Sequence, residues 1–180
     1  IISNIANKNL LPDKKYWKYT DIFNPSTGFI MPKGASLARM KKTLWSDMIS
    51  EYDARFLYQY IQTLNLKHNP DFDSIFQLWL IDENNHYLGF RELYSNINPL
   101  TKSEEEELSV DKSNFENYKQ VFKDEFSILL ALAYDELATV QMYTHDIETY
   151  QALGKQASKF IKKVISDEGW HYGKFFSMLK

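Results

Sequence analysis

The sequence predicts an all-α protein: a four-helix bundle over residues 35–180, preceded by an irregular N-terminal arm over residues 1–34. Three observations predict it. Glycine and proline are sparse, 6 and 5 of 180 residues, as a mainly helical chain requires. Apolar residues recur at helical spacing through four long stretches. The third observation is a polar pattern that occurs twice: a glutamate, then Glu-x-x-His after a step of 32 residues. Glu51 is followed by Glu83-Asn84-Asn85-His86, and Glu136 by Glu168-Gly169-Trp170-His171. That is an internal repeat of one helix pair.

Composition sets the outer bounds. Hydrophobic content of 44% and aromatic content of 16% exclude disorder as the default, and 180 residues suffice for one domain with a sizeable core. There is no cysteine, so disulfides, zinc-thiolate sites, iron–sulfur clusters and a thiol nucleophile are excluded from this chain. The longest uninterrupted apolar run, Ile128 to Tyr134, is far too short for a helical membrane span. Net charge is −3, with a basic excess before residue 43 and an acidic body after it; that body argues against a nucleic-acid platform. The expected location is the cytoplasm, or an organelle lumen if a targeting segment precedes Ile1.

Taken in order, Asn24-Pro25-Ser26-Thr27-Gly28 and Pro32-Lys33-Gly34 give the arm its turn chemistry, and Tyr16, Trp17, Tyr19 and Phe23 are expected to pin it to the bundle. The first helix is expected from Ser36, as N-cap, to Leu64. Pro70 stands near the start of the second, expected from Asp71 to Ile97 and stopped by Pro99. Asn98 to Ser113 reads as a linker in which Ser103-Glu104-Glu105-Glu106-Glu107 is a solvated loop or a first helical turn. The third helix gathers around Phe126 to His145, after a shorter helix at Phe115 to Phe122. The fourth follows a break near Gly154 and reaches the C-terminus, with Gly169 and Gly173 interrupting it near the repeated motif.

Residues three apart on a helix share a face, so each Glu-x-x-His offers a carboxylate and an imidazole to one point. Four glutamates converging in an apolar interior would repel one another and each would be costly to ionise alone. Two divalent cations cancel four carboxylates and leave both imidazoles neutral. The pattern therefore assigns Glu51, Glu83, His86, Glu136, Glu168 and His171 as ligands of a two-metal centre. A set of carboxylates and imidazoles without thiolate suits iron or manganese, with zinc as a further alternative. Asp82 and Asp167, each preceding a motif glutamate, fit an outer layer: Asp167 accepting from the ring N–H of His86, and Asp82 or its neighbours doing so for His171. His68 and His145 belong to no repeated set and read as structural. Asp53, Asp135 and Glu92 read as surface or ion-pair residues, Trp79 and Trp170 as core, and Tyr87 and Tyr172 as packing.

With these residues in place, the chain resembles the ferritin-like di-iron carboxylate superfamily over roughly residues 45–178. Within it, it looks closest to the soluble acyl-acyl-carrier-protein desaturases. Asp47-Met48-Ile49-Ser50-Glu51 is similar to that family's first ligand helix. Asp82-Glu83-Asn84-Asn85-His86 is similar to its Glu-Glu-Asn-Arg-His, Glu136-Leu137-Ala138-Thr139 to its Glu-Arg-Ala-Thr, and Asp167-Glu168-Gly169-Trp170-His171 to its Asp-Glu-Lys-Arg-His. Where the family carries arginine before each histidine, this chain has Asn85 and Trp170. The resemblance implies a ferritin-like fold, two iron ions (manganese as the alternative), dioxygen as co-substrate, and oxidation of an unactivated C–H bond. Thr139 would stand beside the oxygen site, where a hydroxyl can relay a proton. An acyl carrier protein or another small acyl substrate, and a ferredoxin-like electron donor, are the implied partners, with Lys33, Arg39, Lys41 and Lys42 available to an acidic carrier. No nucleic acid is expected, and a homodimer is among the assemblies open to it. The rival readings are an oxygenase or N-oxygenase for another small substrate, a ferritin-like ferroxidase, a tyrosyl-radical subunit like the small chain of ribonucleotide reductase, and a metal-free helical scaffold.

Overall fold

The computed structural model describes residues 14–24, 28–66, 69–109 and 115–180. His68 and residues 25–27 of the turn lie outside them. The described residues hold six α-helices and no strand: α1 (Ala35–Thr63), α2 (Pro70–Ile97), α3 (Lys102–Ser109), α4 (Glu125–His145), α5 (Ile147–Ala152) and α6 (Lys155–Met178). The four long helices are the bundle. Helix α1 packs along α2 and α4 along α6, and α2 meets α6 to join the two pairs. This is the four-helix bundle that the sequence predicts.

Local chemistry explains most boundaries. Asn69 caps α2 by accepting from the Asp71 N–H at 3.0 Å, with Pro70 at the first helical position, where its missing N–H costs nothing. Asp124 and Ser127 cap α4 reciprocally, Ser127 N–H to Asp124 Oδ1 at 2.8 Å and Asp124 N–H to Ser127 Oγ at 3.1 Å, a capping box. Ser36 is not the cap of α1. The chain turns into that helix at Gly34, with φ +58°, a value that side-chain-bearing residues rarely adopt. The acidic run continues past one turn to form α3, because Thr101 and Glu104 cap it reciprocally. The short helix expected before α4 is a single 3-10 turn, Phe115–Tyr118. Helix α5 was not expected from the sequence; six residues carry too little periodicity to be seen.

The core falls into two apolar clusters, one at each end of the bundle. One is built from Leu44 and Met48 of α1, Phe90 and Leu93 of α2, Tyr143 of α4, and Phe160, Ile161 and Val164 of α6, with Trp17, Tyr19 and Phe23 of the arm packed on it. The other holds Ile61, Phe72, Phe76, Trp79, Ile128, Leu132 and Phe175. Between them, at mid-height, lie the polar residues Glu51, Glu83, His86, Glu136, Glu168 and His171, all buried.

Two glycine positions show how tightly the helices meet. Gly89 faces α6 so closely that a Cβ there would lie 2.1 Å from Phe160 Cε2. That ring cannot yield, being fully buried and packed against Trp17, Phe23 and Phe90. Gly169 and Gly173, by contrast, interrupt nothing. Helix α6 runs through both, each is exposed, and neither would bring a Cβ within 4 Å of another group. Gly89→Ala should therefore destabilise the fold by about 1–3 kcal/mol even though alanine is the better helix former. Gly173→Ala should stabilise it by up to about 1 kcal/mol. Denaturant unfolding of the two variants measures both signs.

Candidate metal centre

Each of the four long helices turns one part of the repeated pattern toward the bundle axis. Helix α1 brings Glu51, α2 brings Glu83 and His86, α4 brings Glu136, and α6 brings Glu168 and His171. The i, i+3 spacing puts His86 beside Glu83 and His171 beside Glu168 on one face. The six side chains form two overlapping groups of four: Glu51, Glu83, His86 and Glu168, and Glu83, Glu136, Glu168 and His171. Within each group, one donor atom per residue lies within 4.8 Å of all the others. Glu83 and Glu168 belong to both groups.

The two imidazoles are placed alike. His86 Nδ1 stands 3.3 Å from Glu51 Oε2 and 3.1 Å from Glu168 Oε1. His171 Nδ1 stands 3.3 Å from Glu136 Oε2 and 3.1 Å from Glu168 Oε2. Their Nε2 atoms face outward, His86 at 3.2 Å from Asp167 Oδ2 and His171 at 3.0 Å from Asp82 Oδ2. A proton on Nε2 donated to an aspartate leaves the Nδ1 lone pair directed into the cluster, the tautomer a metal ligand needs.

Further side chains hold the carboxylates. Trp79 donates Nε1–H to Glu136 Oε1 at 2.7 Å, and the buried Tyr143 hydroxyl donates to Glu51 Oε1. Each leaves the glutamate's other oxygen facing an imidazole Nδ1 at 3.3 Å, with no hydrogen bond. Glu51 Oε2, Glu83 Oε1, Glu136 Oε2, Glu168 Oε1 and His86 Nδ1 are all buried and unpaired by hydrogen bonds. Buried polar atoms are rarely left so, and here they converge. Tyr150 of α5 donates to Asp47, one turn before Glu51. Burial pushes that carboxyl up to about 7, with the neighbouring Glu51 adding to the rise and the Tyr150 hydrogen bond opposing it.

The electrostatics describe a cluster short of positive charge. Burial pushes Glu83 and Glu136 well above the usual carboxylate range, and repulsion from Glu168 adds to it. Burial alone would lower both imidazoles. The carboxylates around them, Glu168 first for His86 and Glu136 first for His171, more than reverse this and hold both well above ordinary histidine. Glu168 is resisted by burial but held well below its usual value by the two imidazoles. Protons thus stand where cations would supply the charge. The donor set and its five unpaired atoms fit a pair of divalent ions bound by oxygen and nitrogen.

Two sides of the cluster differ. On the histidine side lies the arm: Trp17 stacks on His86 with ring centroids 6.0 Å apart and donates Nε1–H to Asp167 Oδ2 at 2.7 Å. On the carboxylate side a cleft of about 360 Å³ reaches Glu51, Glu83, Glu136 and Glu168, with Ser50, Asp53, Asp135 and Thr139 also in its walls. Asp53 and the exposed Asp135, read from sequence as surface or ion-pair residues, also stand in the wall of this cleft. Trp79, read as core, is also a hydrogen-bond donor to the cluster. Tyr87 and Tyr172 pack on Tyr52 and Phe176, and His145 is exposed at the end of α4. Trp17, Tyr143 and Tyr150 were missed as polar partners. Tyr143 does share the face of Glu136, so its burial was legible, but its acceptor on α1 was not.

A family model described as Rubrerythrin matches residues 42–179. The chain belongs to the rubrerythrin family. That membership puts it in the ferritin-like di-iron superfamily, and the buried carboxylate–histidine cluster is where such a family member can hold metal. The match does not extend to the narrower resemblance with acyl-acyl-carrier-protein desaturases. Neither a curated protein nor a solved structure matches the chain. In this rubrerythrin-family chain, the matched residues contain every member of the cluster, whereas Lys14 and Trp17 lie outside them.

Cations and protons compete for the same atoms. Without metal, the raised imidazoles contribute stability that is full below about pH 6.5 and is lost as pH rises through their folded values. Metal binding must displace those protons. The rise in melting temperature on anaerobic addition of Fe(II) should therefore be larger at pH 8 than at pH 5.5. Equal rises at the two pH values would contradict the assignment of these groups as ligands.

Proposed function

We propose that this chain is an oxygen-dependent di-iron oxidoreductase, with Glu51, Glu83, His86, Glu136, Glu168 and His171 as its metal ligands. The observation that carries the reading is the sharing of Glu83 and Glu168 between two groups of four donors, beside a cleft that reaches the carboxylates and no histidine. An iron pair held there would supply the electrons that reduce dioxygen; a set of hard oxygen donors and imidazole also accepts manganese. The chain's own residues set the conditions. Asp82 and Asp167 keep protons on the outer ring nitrogens. Trp79 and Tyr143 fix Glu136 and Glu51 so that one oxygen of each faces inward. The apolar clusters above and below exclude water, which strengthens every charge interaction between them. Thr139, one turn beyond Glu136 on the cleft wall, offers a hydroxyl that can hold and pass a proton to an oxidant in the cleft.

For the organic substrate, we propose a molecule with an apolar chain. A second groove of about 410 Å³, lined by Phe122, Ala131, Leu132 and Tyr134, shares Leu57, Phe115, Tyr118 and Asp135 with the cleft. An acyl chain lying there would bring an unactivated C–H bond toward Thr139. The acyl carrier protein and the ferredoxin-like donor remain part of this proposal. On the basic side, Lys33, Arg39 and Lys42 are exposed, while Lys41 is engaged with Asn98 Oδ1 at 2.7 Å. A second reading, a ferroxidase for Fe(II), is favoured by Asp53 and Asp135 in the cleft wall, which would draw a cation inward.

The two readings separate on iron stoichiometry. With excess Fe(II) and dioxygen, the oxidoreductase should oxidise one pair of irons per chain and then stop until a reductant is supplied. Continued oxidation of many equivalents without reductant would favour the ferroxidase instead. In the reductant-fed protein, Thr139→Val should slow dioxygen uptake by about tenfold or more if its hydroxyl carries a proton, and an unchanged rate would remove Thr139 from that role.

A further inference from the structure

We infer that Lys14 is a positioning residue for the metal centre: it holds Asp82 and Asp167 against the outer ring N–H groups of both histidines and sets the reduction potential of the iron pair. The inference rests on the reading of the cluster as that centre. Lys14 lies on the N-terminal arm, before the residues shared with the rubrerythrin family, yet its side chain is only 2% exposed. Burying an ammonium group is costly unless it is paired, and its partners are the two aspartates. Its Nζ donates to Asp82 Oδ2, the same oxygen that accepts from His171 Nε2 at 3.0 Å. It stands 3.4 Å from Asp167 Oδ1, while Oδ2 of that carboxylate meets His86 Nε2 and Trp17 Nε1. One ammonium thus joins both histidine–aspartate pairs. The face of Trp170 lies 4.4 Å from the same nitrogen, so the charge is held between an aromatic ring and the two carboxylates.

The charge balance gives this contact a function. Four glutamates and two aspartates are buried around the two imidazoles. A divalent pair offsets four of those six negative charges, and Lys14 offsets a fifth. Without it, Asp82 would face Asp167 with no cation between them. Either carboxylate could then take up a proton or rotate, and the ring it orients would lose its acceptor. With it, a fixed positive charge lies 3.4 Å from His171 Nε2, on the far side of the ring from the cluster. Such a charge disfavours the more positive, oxidised form of the metal pair, so removing it makes oxidation easier.

The test compares Lys14→Met, Lys14→Arg and Lys15→Met in the full chain. Lys15 is the exposed neighbour, so its replacement changes net charge equally without touching the aspartates. Lys14→Met should shift the midpoint potential of the iron-loaded protein to more negative values, and Lys14→Arg and Lys15→Met should leave it close to wild type. In the Co(II)-loaded protein, the shifted, exchangeable ring N–H proton resonance of His171 should be lost or exchange faster in Lys14→Met and persist in Lys14→Arg. Loss of Co(II) binding in Lys14→Met alone, with helical content intact, supports the same role. An unchanged potential and an unchanged His171 signal in Lys14→Met would overturn the proposal, as would an equal potential shift in Lys15→Met. If the wild-type chain binds no Co(II), the metal centre itself fails and the proposal with it.

Discussion

The structure depends on the cost of burying a cluster of carboxylates at the mid-height of an apolar bundle. Glu51, Glu83, Glu136 and Glu168 converge, with Asp82 and Asp167 just outside them. An interior of low dielectric makes each unpaired charge expensive. The chain meets that cost with hydrogen bonds from Trp79, Tyr143, Trp17 and both imidazoles, and with the buried ammonium of Lys14. The aliphatic and aromatic clusters at either end carry the hydrophobic stabilisation. They also make the rods rigid enough to keep the polar groups within reach of one another.

The cluster is asymmetric: the arm packs on one side and a cleft opens on the other. On its histidine side Lys14 and Trp17 of the arm bond to the two aspartates, and Trp170 of α6 lies against the Lys14 ammonium. Its carboxylate side opens into the cleft that holds Thr139, Asp53 and Asp135. Imidazole orientation and carboxylate access are therefore governed by different parts of the chain. The arm's contacts with the aspartates and the cleft's walls are made by different residues.

The bundle and the grouping of its six polar residues were legible in the sequence because both depend on spacing within single helices. A period of 3.6 residues and a three-residue step from Glu83 to His86 need no knowledge of the tertiary fold. What escaped notice depends on contacts between distant segments. Lys14 and Trp17 sit in an arm without periodicity, so nothing local points at Asp82 or Asp167. Tyr150 belongs to a helix of six residues, and its partner Asp47 lies on another element. Asp53 and Asp135 follow the pattern of exposed helix positions, and only the gap between α1 and α4 turns them into cleft walls. Ser36 was a reasonable cap by type, but Gly34 takes the corner through a left-handed backbone conformation that residue type alone does not reveal. The desaturase resemblance drew on tetrapeptides, and short strings around ligands identify a metal chemistry more readily than a substrate.

The most direct test of the central claim is crystallographic. Anaerobic crystals loaded with Fe(II) and measured on either side of the iron absorption edge should show a pair of anomalous peaks inside the bundle. One should lie among Glu51, Glu83, His86 and Glu168, and the other among Glu83, Glu136, Glu168 and His171. Iron found only at surface carboxylates, with no anomalous density between Glu83 and Glu168, would contradict the account.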